Sequence, residues 1–298
     1  MKSPFSIHNL NPGLVNEVED AYQRNVEAGR VVSDEFTGDV AKKSLKDLLQ
    51  RETEEIEKSS IESFATIEDK DTKEDFEIAF QDTELLFSRA TLETPSPAEF
   101  KEAGVDFADL ARKYIEMVRS NLDPQIVIAP VHGDYEVWEG LFKGLADDSS
   151  IPANPLRQGK DRGLYIAEDI KKAWWHLDTA PKDDTPVVYI EDGQWPDGVQ
   201  WTIRLIPEGA DSVRSKHWKS KHPTIAEYLT LQANIIKKGQ YPVDYQTPTW
   251  LDGVYNGSSG SGIQRYAIGM YGSNEVKIDY VTDPTGVSTH IGVRPPVS

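Results

Sequence analysis

Apolar positions recur at helical spacing through the first part of the chain. Leu45, Leu48, Leu49 and Ile56 share one face, with Glu52, Glu54, Glu55 and Glu57 mostly around it, which predicts an amphipathic helix. Ser96-Pro97-Ala98-Glu99 reads as a capping box with proline at the first helical position; Phe107, Leu110, Tyr114 and Met117 then continue the helical spacing beyond Gly104, with a stop near Asn121, ahead of Asp123-Pro124. Phe76, Ile78 and Phe80 alternate, yet Phe76 and Phe80 also fit i,i+4, so strand and helix both stay open there. After Pro124 the pattern changes to short β-rich runs, Ile126-Val127-Ile128, Val187-Val188-Tyr189-Ile190 and Trp201-Thr202-Ile203-Arg204-Leu205, separated by turn residues. One more helix is well marked. Thr224-Ile225-Ala226-Glu227 is a capping box, Ile225, Tyr228, Leu229, Ile235 and Ile236 form its apolar face, and Gly239 can close it. Near the C-terminus, Tyr266 to Tyr271 and Val276 to Tyr280 predict a hairpin around Gly272-Ser273-Asn274, with Ile291-Gly292-Val293 as a closing strand.

These patterns give an α+β chain in two parts: an acidic, mainly helical module over residues 1–120 and an α+β domain over 121–298. Length agrees, since 298 residues exceed what one core usually organises. Charge draws the same line. Residues 1–120 hold 27 Asp and Glu against 15 Lys and Arg, a net −12 of the chain's −18, and packing of the helical module on itself or a neighbour is expected, with oligomerisation or attachment to a larger particle as the other use of such helices. All seven tryptophans, Trp138, Trp174, Trp175, Trp195, Trp201, Trp218 and Trp250, lie in the second part, where large rings can supply the buried area of a core.

Charge and motifs also limit function. A net charge of −18 repels a phosphate backbone, so nucleic acid is not expected as a partner; the basic run Arg214 to Lys221 reads as a solvated loop. The sequence shows no secretory signal and no apolar run long enough to span a membrane; the compartment stays open, with the cytoplasm or a virion as candidates and display outside a cell requiring a virion or a nonstandard export route. No metal, cofactor or catalytic residue is expected. His132-Gly133-Asp134 reads as a turn, because a metal needs three or more converging ligands. Gly257-x-Ser259-x-Ser261 lacks the glycine pattern and following helix of a nucleophile elbow. Glu68-Asp69-Lys70-Asp71 lacks the glycine and closing glutamate of a calcium loop, and Trp195-Pro196-Asp197 reads as a turn.

The last stretch differs in composition. From Leu251 to Ser298 there are 8 Gly, 6 Ser, 4 Tyr, 3 Thr and 2 Asn among 48 residues. Tyrosine offers large contact area at low rotamer cost, and small polar residues offer adaptable hydrogen bonds, the mixture found in antibody paratopes. This predicts a recognition surface on a rigid scaffold, with Tyr255, Tyr266, Tyr271 and Tyr280 as outward anchors and Trp201 and Trp250 as core supports.

The succession Trp201-Thr202-Ile203-Arg204-Leu205-Ile206-Pro207, His222-Pro223-Thr224-Ile225-Ala226-Glu227-Tyr228-Leu229, Thr249-Trp250-Leu251-Asp252-Gly253 and Ile291-Gly292-Val293-Arg294-Pro295 resembles the variable proteins of diversity-generating retroelements, those of archaeal viruses and small-genome bacteria above all. The resemblance spans roughly Asn121 to Ser298. It implies a C-type lectin fold of the formylglycine-generating type and a non-enzymatic, ligand-binding role. The copper chemistry of the formylglycine-generating members uses cysteine ligands, and this chain has no cysteine. The resemblance further implies that adenine-directed copying errors diversify asparagine codons. Tyr255, Asn256, Ser258, Ser259, Ser261, Tyr271, Ser273, Asn274, Asp279, Thr285, Ser288 and Thr289 are reachable that way, and Gln264, Tyr266, Tyr280 and Asp283 complete the expected ligand-binding set. Gly253, Ile268, Ile278, Gly292, Val293 and Arg294 would be scaffold. The expected partner is a protein or surface ligand bound by this region; a virion or tail adaptor with a fixed lectin-like domain is the alternative.

Overall fold

A computed structural model of the chain describes residues 62–131, 134–157, 163–174, 177, 185–192, 195–208, 211–212, 222–244, 248–256, 264–282 and 291–298. The helix expected around Leu45 to Ile56 lies outside them. Residues Glu57–Ser298 form one compact unit, mixed α and β, and its helices follow from local signals. Asp69 caps α1 (Lys70–Phe87), accepting from the Thr72 amide at 2.8 Å, and Phe76, Thr83, Leu86 and Phe87 turn inward at helical spacing. The ambiguous Phe76 to Phe80 stretch is therefore helix. Tertiary packing decides it, because Phe76 and Phe80 both reach Phe64 and Phe107, with ring centroids 5.6–6.2 Å apart.

The capping box at Ser96 opens α2 (Pro97–Glu102), with the Ser96 amide donating to Glu99 at 2.7 Å and the Glu99 amide donating to the Ser96 hydroxyl at 3.4 Å. The expected continuation through Gly104 is corrected. Gly104 takes φ +100°, which terminates α2, and Asp106 starts α3 (Phe107–Arg119) afresh by accepting from the Ala108 and Asp109 amides. Helix α3 ends where anticipated, at Asn121 with φ 58°. Ser96→Ala should remove one partner of the box and lower stability by about 1 kcal/mol in a urea titration; no shift in midpoint would show that the end frays freely.

Strand β1 (Pro124–Pro130) leads into α4 (Tyr135–Asp147), capped by Asp134. Next come β2 (Leu164–Ile166), α5 (Glu168–Ala173), β3 (Val188–Asp192), β4 (Trp195–Pro207) and β5 (Asp211–Ser212). Helix α6 (Ile225–Lys237) then precedes β6 (Thr249–Asn256), β7 (Gln264–Gly272), β8 (Glu275–Val281) and β9 (Gly292–Val293). Trp195-Pro196-Asp197, expected as a turn, begins β4 instead. Two sheets result, one ordered β1-β4-β3 and one ordered β2-β8-β7-β6-β9-β5. Antiparallel register sets Ile126 against Leu205 and Ile128 against Ile203, so one side of the small sheet carries Ile126, Ile128, Ile203, Leu205 and Trp201 into the main core. There Phe87 of α1 meets Trp201 edge-on at 5.0 Å and Trp138 of α4 at 5.7 Å. The expected division at residue 120 accordingly falls inside one packed unit, because α1 to α3 share their core with the small sheet and α4.

The other side of the small sheet, Val127, Ala129 and Ile206, packs on Leu231 and Ile235 of α6. The same helix also presents Tyr228 to β7. A Cβ added to Gly269 would stand 2.3 Å from that ring, so glycine is what lets strand and helix approach. Lying between the sheets, α6 is buried on all sides from Ile225 to Ile236, including Glu227, Thr230, Gln232 and Asn234, so its burial extends beyond the apolar face read from its spacing. The final residues return to the small sheet: Leu205 and Val297 exchange both backbone hydrogen bonds, at 2.8 and 2.9 Å. No helix among the described residues is long and apolar enough to cross a membrane.

Candidate functional site

The larger sheet has one sealed side and one outward side, and strand pairing decides which residue goes where. Residues opposite one another across a ladder point the same way. Pairs Gly269 with Ile278 and Tyr271 with Val276, together with Leu164 and Ile166 on β2, are buried. The alternate positions form the outward side. Tyr165 pairs with Lys277, Lys277 with Met270, Asp279 with Ile268, Ile268 with Trp250, and Val281 with Tyr266. On it Trp250, Ile268 and Ile291 make a small buried cluster against which Tyr266, Met270 and Val281 pack. Trp250 and Tyr266 meet edge to face, centroids 6.2 Å apart and planes at 86°. Lys277 lies 5.8 Å from the Tyr165 ring and 3.2 Å from Glu275.

Ser273 and Asn274 form the hairpin tip. Both are exposed and both take left-handed φ, 59° and 61°, the type I′ geometry that the right-handed strand twist favours for a two-residue loop. Asp279 is half-buried, accepting from the Tyr280 amide at 2.8 Å. Three of the four tyrosine anchors have described side chains, and two need correction. Tyr271 is 6% exposed and donates its hydroxyl to the Pro155 carbonyl at 2.9 Å, because its register places it on the sealed side. Tyr280, opposite Ala267, shares that side and is half-buried against the main core. Tyr266 alone of the three is on the outward side. Tyr255, Asn256 and Gln264 have described backbone only, pairing Tyr255 with Arg265 and Asn256 with Gln264. Ser258, Ser259, Ser261, Asp283, Thr285, Ser288 and Thr289 lie outside the described residues.

Tyr165, Met270 and Lys277 join this face without having been anticipated. Lys277 and Met270 were legible as strand positions but not as surface. Tyr165 sits in a three-residue strand whose buried-exposed-buried alternation is too short to stand out in sequence.

Beneath the face is a buried ionic clasp. Arg294 donates to Asp244 at 2.7 Å, to the Thr249 hydroxyl at 2.9 Å and to the Pro207 carbonyl at 3.0 Å, while Thr249 also donates to Asp244 at 2.8 Å. It thereby ties the C-terminal segment to β6, the end of β4 and the loop after α6. Burial pushes the Asp244 carboxyl up, and Arg294 pulls against it; the neighbouring Tyr228 hydroxyl is raised well above its ordinary value, by burial first and the Asp244 charge next. A second buried pair, Arg204 and Glu227 at 3.2 Å, joins β4 to the start of α6. Glu227 also accepts from the Thr224 amide at 2.8 Å, closing the expected capping box, and burial again raises its carboxyl against the pull of Arg204.

Chemically, the described residues of the outward side offer aromatic and aliphatic contact together with the Lys277 ammonium and the Asp279 and Glu275 carboxylates, suited to binding. Among the described residues no group of three or more His, Asp or Glu is placed to hold a metal ion; Asp134 of the His132-Gly133-Asp134 run is the cap of α4, and His132 and Gly133 lie outside the described residues. The chain matches no protein-family model, no curated protein and no solved structure.

Proposed function

We propose that this chain is a receptor-type ligand-binding protein, displaying a diversified recognition surface on a C-type lectin-like scaffold as the product of a diversity-generating retroelement. The observation that carries the reading is the two-sided larger sheet. Its inner side is committed to the core, while its outer side sets Tyr165, Tyr266, Met270, Lys277 and Asp279 on ladders held by backbone hydrogen bonds. Side chains there can change without altering strand pairing, which is what a diversified surface requires. Two features support the lectin-like designation: the last residues pair with the strand that also pairs with β1, and β6, β7 and β8 form an antiparallel meander. No step of chemistry is assigned to the face. It acts by contact area and hydrogen bonding alone.

Sequencing the coding DNA across a population of the source organism or virus tests this directly. Variation should concentrate at codons for outward or tip positions such as Ser273, Asn274 and Asp279, should spare Ile268, Ile278 and Arg294, and should follow adenines in a nearby template copy beside a reverse-transcriptase gene. An invariant 3′ end without such a copy would refute the reading.

A further inference from the structure

Between α3 and β1 the chain carries an Asp123-Pro124 bond in an unusual setting. Aspartyl-prolyl bonds are chemically weak. The aspartate carboxyl can close a five-membered ring on its own main-chain carbonyl carbon, and the proline nitrogen leaves more readily than an ordinary amide nitrogen. A residue before proline is driven towards extended backbone, yet Asp123 takes φ 49°, the left-handed region that costs a residue with a side chain conformational energy. Cutting the chain there would release that strain.

The Asp123 carbonyl is also held and polarised. Its oxygen accepts the Glu208 amide at 3.0 Å, one rung beyond the β1–β4 ladder that begins with Pro124 opposite Pro207. An N–H in that place stabilises negative charge as it develops on the oxygen. The Glu208 carboxyl accepts from the Gln125 side-chain amide at 2.6 Å, and Lys238 donates to the Gln125 side-chain oxygen at 3.3 Å, so the two strand ends are clamped beside the bond. Asp123 itself is exposed while Pro124 is buried. Its carboxyl therefore has room to turn onto its own carbonyl carbon, and water can reach the product.

We infer that the folded chain cuts itself once, between Asp123 and Pro124. A carboxyl oxygen of Asp123 bonds to the Asp123 main-chain carbon, the bond from that carbon to the Pro124 nitrogen breaks, and the nitrogen takes up the proton that the carboxyl gives up. Water then opens the cyclic anhydride, leaving a C-terminal aspartate and an N-terminal proline. One water is consumed, and nothing is oxidised or reduced. The two pieces stay together, because α1 to α3 share a core with the small sheet. This activity is independent of the reading given to the recognition face.

The test incubates the full chain in mildly acidic buffer, folded and unfolded in urea, and follows it by intact mass. Pieces 1–123 and 124–298 should appear from the folded chain at least about tenfold faster than from the unfolded one. The folded chain should also be cut faster there than at Asp283-Pro284, the second bond of this kind in the sequence. Gln125→Leu keeps the bond but loosens Glu208, so it should slow the cut in the folded chain alone; Asp123→Ala should abolish it, with thermal melts confirming that each variant is folded. Equal rates in folded and unfolded chain, or equal cutting at Asp283-Pro284, would reduce the site to ordinary lability and overturn the proposal. So would a folded chain that stays intact, a Gln125→Leu rate equal to the parent's, or cutting that survives Asp123→Ala.

Discussion

Arg294→Ala is expected to lower the stability of the unit by about 3–5 kcal/mol, the range for removing one partner of a buried ion pair. Asp244 would keep Thr249 as a donor but lose its counter-charge at a position that is 1% exposed. The deficit should depend on pH in a definite direction. Burial already holds the Asp244 carboxyl above its ordinary value, and Arg294 is the largest opposing influence; without it the folded-state value rises further. A folded value above the unfolded one means that the folded state binds the proton more tightly, so that stability is present at low pH and lost as pH rises through the folded value. Urea titrations at neutral and mildly acidic pH should therefore find the variant worse off at neutrality, and partly recovered relative to the parent in acid. An equal deficit at both would mean that Arg294 acts through packing rather than by balancing a charge.

Trp201→Ala should cost about 3–5 kcal/mol through loss of buried area and the cavity left behind. Its ring is fully buried and stands edge-on to Phe87 at 5.0 Å, so it is the point where the N-terminal helices grip the small sheet. Because the helices and sheet share one core, signals from both should be lost in a single transition, shifted together by the substitution. Two separated transitions, with the sheet outlasting α1 to α3, would restore the division at residue 120 that composition suggests. Trp201→Phe, which keeps most of the ring volume, should show a smaller loss.

How much was legible follows the range over which each feature is determined. Capping boxes at Ser96 and Thr224 and the Ser273-Asn274 hairpin are written in three to five adjacent residues, and they form as read. The supports Trp201, Trp250, Ile268, Ile278 and Arg294 are all buried, as aromatic, β-branched and motif residues suggested. Long-range placement was not legible. The acidic character of α1 to α3 reflects their solvent side and hides the Phe-rich side they give to a shared core, so charge alone marked a boundary that packing does not respect. The tyrosines show the same limit. Tyr266, Tyr271 and Tyr280 are chemically equivalent in sequence, and only the strand register sends Tyr266 outward and Tyr271 into contact with Pro155. The buried polar residues of α6 likewise follow from sheets on both sides, which no helical pattern reveals.

The return of Val297 to Leu205 and the grip of Arg294 on Asp244 bear on synthesis. Residues 291–297 leave the ribosome after every other part of the unit they pin together, and β4 and the loop after α6 must wait some 50 to 90 residues for these partners. Such distant pairings slow folding and leave apolar strands uncovered in the meantime. A nascent chain stalled before residues 291–297 are exposed should accordingly be cut readily by proteases, and one stalled after they have emerged should be resistant.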